Sequence, residues 1–177
     1  AFICSTRTAP GTIMHAAYGS LTLAPLDGIS DGLMQQICSD MVASGVPCTI
    51  TDDIVTMRWK KLVWNIPYNG MSVAENAKTD VLTFDPELRR QIVALMEEVV
   101  AAGRACGAVL DESCIESMVA MTEKMAPYYP SMYIDHAAGR QMEIEFMYDR
   151  PIEEAKAHGV DMILTRELAE KLRRGAC

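Results

Sequence analysis

Lys61, Asn65 and Asn69 stand four residues apart in the run Trp59-Lys60-Lys61-Leu62-Val63-Trp64-Asn65-Ile66-Pro67-Tyr68-Asn69. On a helix that spacing lines one face, drifting by about 40° per step, beside Leu62 and Ile66, whose types predict burial. An ammonium and two carboxamides would then share one wall near the core, offering a positive charge, a transferable proton and paired hydrogen-bonding groups. Asparagine is a poor helix former, so two of them in mid-helix call for a hydrogen-bonding reason. A solvated stripe is the alternative, because lysine and asparagine are ordinarily exposed.

A second set lies in Ser131-Met132-Tyr133-Ile134-Asp135-His136-Ala137-Ala138-Gly139-Arg140-Gln141-Met142-Glu143-Ile144-Glu145. Ser131 at a helix start offers a hydroxyl and free backbone N–H groups, which suit a carboxylate; a plain N-cap is the simpler reading. Glu143 and Glu145 are two apart in a predicted helix and point to nearly opposite sides, so only one can face a shared pocket.

These residues need elements to hold them. Strands are predicted over Phe2–Thr8, Thr12–Ala17 and Ser20–Ala24, with Pro10-Gly11 and Tyr18-Gly19 as turns. A helix is predicted over Asp31–Ala43, capped by Ser30, with Leu33, Ile37 and Met41 inward and Gly45 beyond its end. Val46–Thr51 reads as a short return strand. Three short strands and one helix bury too little to stand alone, so residues 1–51 read as the last part of a larger sheet. The rest reads as helices. Asp52 or Asp53 opens one that reaches about Ala74, kinked by Pro67 near Val63. Asp85-Pro86-Glu87 opens a long one to Gly107, with Leu88, Ile92, Leu95, Val99, Ala102 and Cys106 as its apolar stripe. Others are predicted from Asp111 to the prolines at 127 and 130, from Ser131 to Ala138, from Met142 to His158 and from Thr165 to Arg174.

Half of the 177 residues are hydrophobic and 23% are charged, which is the composition of a folding chain. Sixteen basic against 24 acidic residues give a net charge of −8. That sign repels phosphate backbones and anionic bilayers, so neither nucleic acid nor membrane is an expected partner. The six cysteines, Cys4, Cys38, Cys48, Cys106, Cys114 and Cys177, show no C-x-x-C pair and no spacing with histidine that suits a metal, and they read as reduced thiols of a cytoplasmic protein. His15 reads as a strand histidine and His136 and His158 as helix-surface residues, so no metal site is expected. The thirteen methionines read as core filler, or as a surface for self-association. The chain opens in a strand-like run without Met, as if entered in mid-domain.

The run Trp59-x-Lys61-Leu62-x-x-Asn65-x-x-x-Asn69, followed by Ser131-x-x-x-Asp135-x-x-x-Gly139-Arg140-x-x-Glu143-Ile144-Glu145, resembles the ketopantoate reductase family (2-dehydropantoate 2-reductase). Pro10-Gly11-x-Ile13-x-His15-x-x-x-Gly19 resembles the strands that close that family's nucleotide-binding domain. The match spans almost the whole chain in the right order. It implies a mainly α fold: a 6-phosphogluconate-dehydrogenase-like helical C-terminal domain (52–177) preceded by a β-rich remnant of a Rossmann domain (1–51). It also implies an NADPH-dependent reductase of a small 2-oxo acid, most directly 2-dehydropantoate. Lys61 would be the catalytic lysine and Glu143 the acid that orients substrate, coupled to each other. Asn65 and Asn69 would be substrate-binding amides, and Ser131 a contact to the substrate carboxylate. A homodimer through the helical domain is compatible with this.

The sequence departs from the family in places. Gly70 stands where a proline commonly follows the second asparagine, Thr79 where a further substrate asparagine falls, and Asp149-Arg150 in a usual glycine region. No Gly-x-Gly-x-x-Gly turn occurs, so the chain by itself is expected to bind NADPH poorly and not to turn over. The competing reading is a non-catalytic helical self-association module, in which Lys61, Asn65 and Glu143 need not converge.

Overall fold

The structure is a computed structural model that describes residues 1–26 and 30–175. Cys177 lies outside the described residues, as does the side chain of Cys4, so the reading of those two thiols is not addressed. The chain divides into two compact units, residues 1–57 and 58–177.

In the first unit, β1 (Phe2–Ala9) and β2 (Thr12–Leu23) form an antiparallel hairpin closed by Pro10-Gly11, where Gly11 takes φ +74°. The sequence predicted a turn at Tyr18-Gly19, but the strand runs through it. Phe2 pairs with Ser20 and Ile3 with Tyr18, which leaves Gly19 as an extra residue: a bulge, with φ +64° at Tyr18 and +132° at Gly19. A bulge absorbs the positive φ that sequence rules assign to turns. Helix α1 (Asp31–Ala43) begins on Ser30, whose hydroxyl accepts from Leu33 N, as predicted. It leads to β3 (Cys48–Ile50), which pairs parallel to β2 through Leu21↔Cys48 and Leu23↔Ile50. Parallel neighbours joined by a helix make a βαβ unit. The inward face of α1 is not the one predicted. Leu33 is 50% and Met41 36% exposed, Ile37 is half-buried, and Met34 is the buried residue. A sheet of one hairpin and the three-residue β3 offers too little area to cover the whole stripe.

The second unit is helical. Helix α2 (Ile54–Ala74) starts where the Asp53 carboxylate accepts from Thr56 N (2.8 Å), and those bonds hold its carboxyl below the usual range. It continues through Pro67. Residues 66 to 72 are buried without interruption, so α2 is the central helix of its unit and not an amphipathic surface one. Then come α3 (Thr79–Phe84), α4 (Pro86–Ala105), α5 (Cys114–Glu123) and α6 (Ser131–Ala137). A π-helical turn (Glu145–Asp149) runs into α7 (Arg150–Ala157), and α8 (Ile163–Gly175) closes the described chain. Asp85 caps α4 by accepting from Glu87 N and Leu88 N, and the predicted stripe faces the core through Ile92, Leu95, Val99 and Ala102.

Helix α3 was not predicted. Its Thr-Asp-Val-Leu-Thr-Phe sequence has weak helix propensity, and it forms because Thr79 and Thr83 are tied to distant residues. Thr79 N donates to Tyr128 O (3.1 Å), Tyr128 N donates to Thr79 Oγ1 (3.3 Å), and Thr83 Oγ1 meets Tyr68 Oη (2.9 Å). The core gathers Trp59, Val63, Ile66, Tyr68, Met96 and Tyr148 among others. No helix among the described residues is long and apolar enough to cross a membrane.

Candidate active site

Asn69 is the centre of the predicted set and is 2% exposed. Its Nδ2 donates to Asn65 O (3.1 Å), one turn back on α2. Its Oδ1 accepts from Met132 N (3.1 Å) and from the Ser131 hydroxyl (3.4 Å) at the start of α6. The hydrogen-bonding reason demanded by a mid-helix asparagine is therefore a cap placed across space. Pro130 is the N-cap of α6 and has no side chain able to accept, so a carboxamide from α2 takes the orphan N–H of Met132. Ser131 is the first helical residue and not the cap.

The other predicted residues are placed less tightly. Asn65 is half-buried and Lys61, a further turn back, is exposed. Glu143 is also exposed, and it precedes the helix predicted to contain it. That helix starts at Ile144 and opens as the π-turn, so the expectation that Glu143 and Glu145 face opposite sides of one helix does not apply. Lys61 and Glu143 form no ion pair within 4 Å among the described residues. The structure thus joins Asn65, Asn69 and Ser131 in one network and leaves the ammonium and the carboxylate at the surface.

The middle of α2 is held by a residue that sequence reasoning missed. Tyr148, in the π-turn, is fully buried; its hydroxyl donates to Ile66 O (2.9 Å). Burial pushes that hydroxyl far above the ordinary phenol value. A Cβ at position 70 would stand 2.5 Å from the Tyr148 hydroxyl and 2.6 Å from Leu168 Cδ2, so only glycine fits. The signal was a mid-helix glycine directly after Asn69. An aromatic stack borders the same helix: Trp64 lies over Tyr68 (centroids 4.8 Å, 18°) and Tyr128 (6.3 Å, 6°), with Trp64 Nε1 donating to Thr122 Oγ1 (2.9 Å). Thr79, where the family places an asparagine, is committed to Tyr128, and Asn76 accepts from Tyr133 Oη (2.6 Å).

A surface concavity of about 430 Å³ between the π-turn, α7 and α8 contains none of the predicted residues. Its three arginines are matched to acids, Arg150 to Glu145 (2.9 Å), Arg166 to Asp161 (2.7 Å) and Arg173 to Asp149, so it is a charged seam between helices.

The sequence at the two connections that lead into α1 and α2 can be compared with the Gly-x-Gly-x-x-Gly turn that seats a dinucleotide pyrophosphate. The β2–α1 connection, Ala24-Pro25-Leu26-Asp27-Gly28-Ile29-Ser30, has one glycine, and Thr51-Asp52-Asp53 before α2 has none. Neither is the glycine-rich turn that seats a pyrophosphate.

Solved 2-dehydropantoate 2-reductases share the order of elements described above, a βαβ unit followed along the chain by a helical unit, over their matched part. Such an enzyme from Geobacter metallireducens superposes with a TM-score of 0.93 at 30% identity, covering 98% of this chain and 58% of that one. One from Methylococcus capsulatus gives 0.88 at 32%, covering 97% and 55%. The family model for the ketopantoate reductase PanE/ApbA C terminal matches residues 53–175, and the chain belongs to that family. A 2-dehydropantoate 2-reductase from Nostoc sp. is 40% identical over 167 residues, 91% of this chain and 52% of that protein. The chain thus spans about half the length of the curated relative it matches.

Proposed function

We propose that this chain is the substrate-binding part of a cytoplasmic, NADPH-dependent 2-oxo-acid reductase that reduces 2-dehydropantoate to pantoate in pantothenate biosynthesis. The observation that carries the reading is the junction of α2 with the start of α6, where Asn65, Asn69 and Ser131, three residues expected to meet one substrate, are joined in one hydrogen-bonded network. Residues 1–51 are then the end of a nucleotide-binding domain and 52–177 the helical substrate domain. The cofactor supplies a hydride when bound. Its pyrophosphate is held by sequence outside these residues, so the 177-residue chain does not turn over by itself.

Reduction of a 2-oxo acid builds negative charge on the C2 oxygen, which needs a positive neighbour and a proton. Lys61 provides both from the exposed turn of α2 that precedes Asn65. Asn65 and Asn69 orient the substrate, the Ser131 hydroxyl meets its carboxylate, and Glu143 approaches from the segment before the π-turn. Lys61 and Glu143 are coupled through the bound substrate, since they make no direct ion pair. In the full-length protein that contains this chain, Lys61→Ala should lower kcat by about 10²–10⁴-fold, the range of a lost general acid. The affinity for NADPH, read by fluorescence titration, should stay nearly constant. Unchanged turnover of 2-dehydropantoate in that variant would refute the assignment.

A further inference from the structure

Cys106 ends α4 as its C-cap, and Glu154 and His158 stand four residues apart at the end of α7, so the two share a face. His158 Nδ1 lies 3.7 Å from Cys106 Sγ and 3.7 Å from Glu154 Oε1, and one donor atom from each of the three lies within 4.8 Å of the others. The sequence reading expected no such cluster, because the cysteine and the Glu-x-x-x-His pair are far apart in the chain.

We propose that Cys106, Glu154 and His158 form a binding site for a zinc-like divalent transition-metal ion, with the fourth position left to water. Tetrahedral zinc, with bonds of about 2.3 Å to sulfur and about 2.0 Å to nitrogen or oxygen, sets donor–donor edges of about 3.3–3.5 Å. Two edges are already near that length, and the carboxylate of Glu154, with its side chain 60% exposed, has freedom to close the third. A thiolate, an imidazole and one carboxylate suit zinc or cobalt and not magnesium or calcium, which demand oxygen ligands. The end of α4 adds the negative pole of its dipole. On binding, the Cys106 thiol releases its proton to solvent. His158 Nδ1, now 2.9 Å from the Glu154 carbonyl oxygen, turns its lone pair to the metal while Nε2 carries the ring proton. The ion would pin the end of α4 to the end of α7. This site is independent of the reductase reading.

Titration of the reduced chain with Co²⁺ tests it. The expected result is a thiolate-to-cobalt charge-transfer band with the visible bands of a four-coordinate ion, saturating at one equivalent and displaced by Zn²⁺. The band should vanish in Cys106→Ser and in His158→Ala. It should survive in the Cys38→Ser/Cys48→Ser double variant, which controls for the two free thiols of the first unit. Absence of a band, its survival in Cys106→Ser, or its loss only in the double variant would overturn the proposal. Should Cys106→Ser unfold by circular dichroism, alkylation of the wild-type chain decides: Zn²⁺ should shield Cys106 from iodoacetamide, and equal labelling with and without Zn²⁺ overturns the site.

Discussion

Gly70 is the narrowest point in the packing of α2, and its cost and benefit have opposite signs. Alanine there would gain about 1 kcal/mol in helix propensity. Its methyl, however, would drive into the Tyr148 hydroxyl and Leu168, and overpacking of that kind costs about 1–3 kcal/mol. Gly70→Ala should therefore lower the urea midpoint, where helix propensity alone would raise it. Tyr148→Phe removes a fully buried hydroxyl that serves Ile66 O, at a cost of about 1 kcal/mol. The Gly70→Ala/Tyr148→Phe pair should cost less than the sum of the singles, because the hydroxyl is half of the clash. Gly70→Ala unfolding at the wild-type midpoint would show that the close approach is not there.

Among the elements, α8 depends on a residue that is not its neighbour in sequence. The Glu98 carboxylate, on α4, accepts from Leu164 N (2.8 Å), Thr165 N (2.7 Å) and Thr165 Oγ1 (2.6 Å), serving as the cap that α8 lacks locally. Glu98→Ala should cost about 2 kcal/mol, at the upper end for a helix cap, and should speed amide exchange over residues 164–175 while leaving α4 protected. Equal exchange in α8 would refute the role. The same contrast between local and distant causes explains what could be read from the sequence. Helices α1 and α4 were legible from their own ends, Ser30 in one case and Asp85-Pro86-Glu87 in the other. Helix α3, the π-turn and the Glu98 cap were not, since each is fixed by partners far along the chain. For the candidate site, Asn65, Asn69 and Ser131 were legible as polar residues needing a reason. That Asn69 reaches across to cap α6 was visible only once the helices were packed.

For the molecule as a whole, the two units differ in how completely they are covered. Among the described residues every buried hydrophobic except Met34 lies in the helical unit, whereas in the first unit Ile13 is 70% and Met14 56% exposed on the hairpin and Val42 55% and Leu33 50% on α1. So much apolar surface on a small unit with one buried hydrophobic is what a larger domain would cover. The 177-residue chain should accordingly bind a hydrophobic dye and self-associate as concentration rises, and should show no 2-dehydropantoate-dependent oxidation of NADPH. A full-length protein should show neither dye binding nor that association at the same concentration, and measurable turnover by this chain alone would contradict the division of labour proposed for it. The notch at Gly70 carries one more implication, this time for descent. Elements that interlock at a missing side chain cannot drift independently: a lineage that restores bulk after the second asparagine must trim the residue facing it at 148 or 168. An alignment should therefore show these three positions changing as a set.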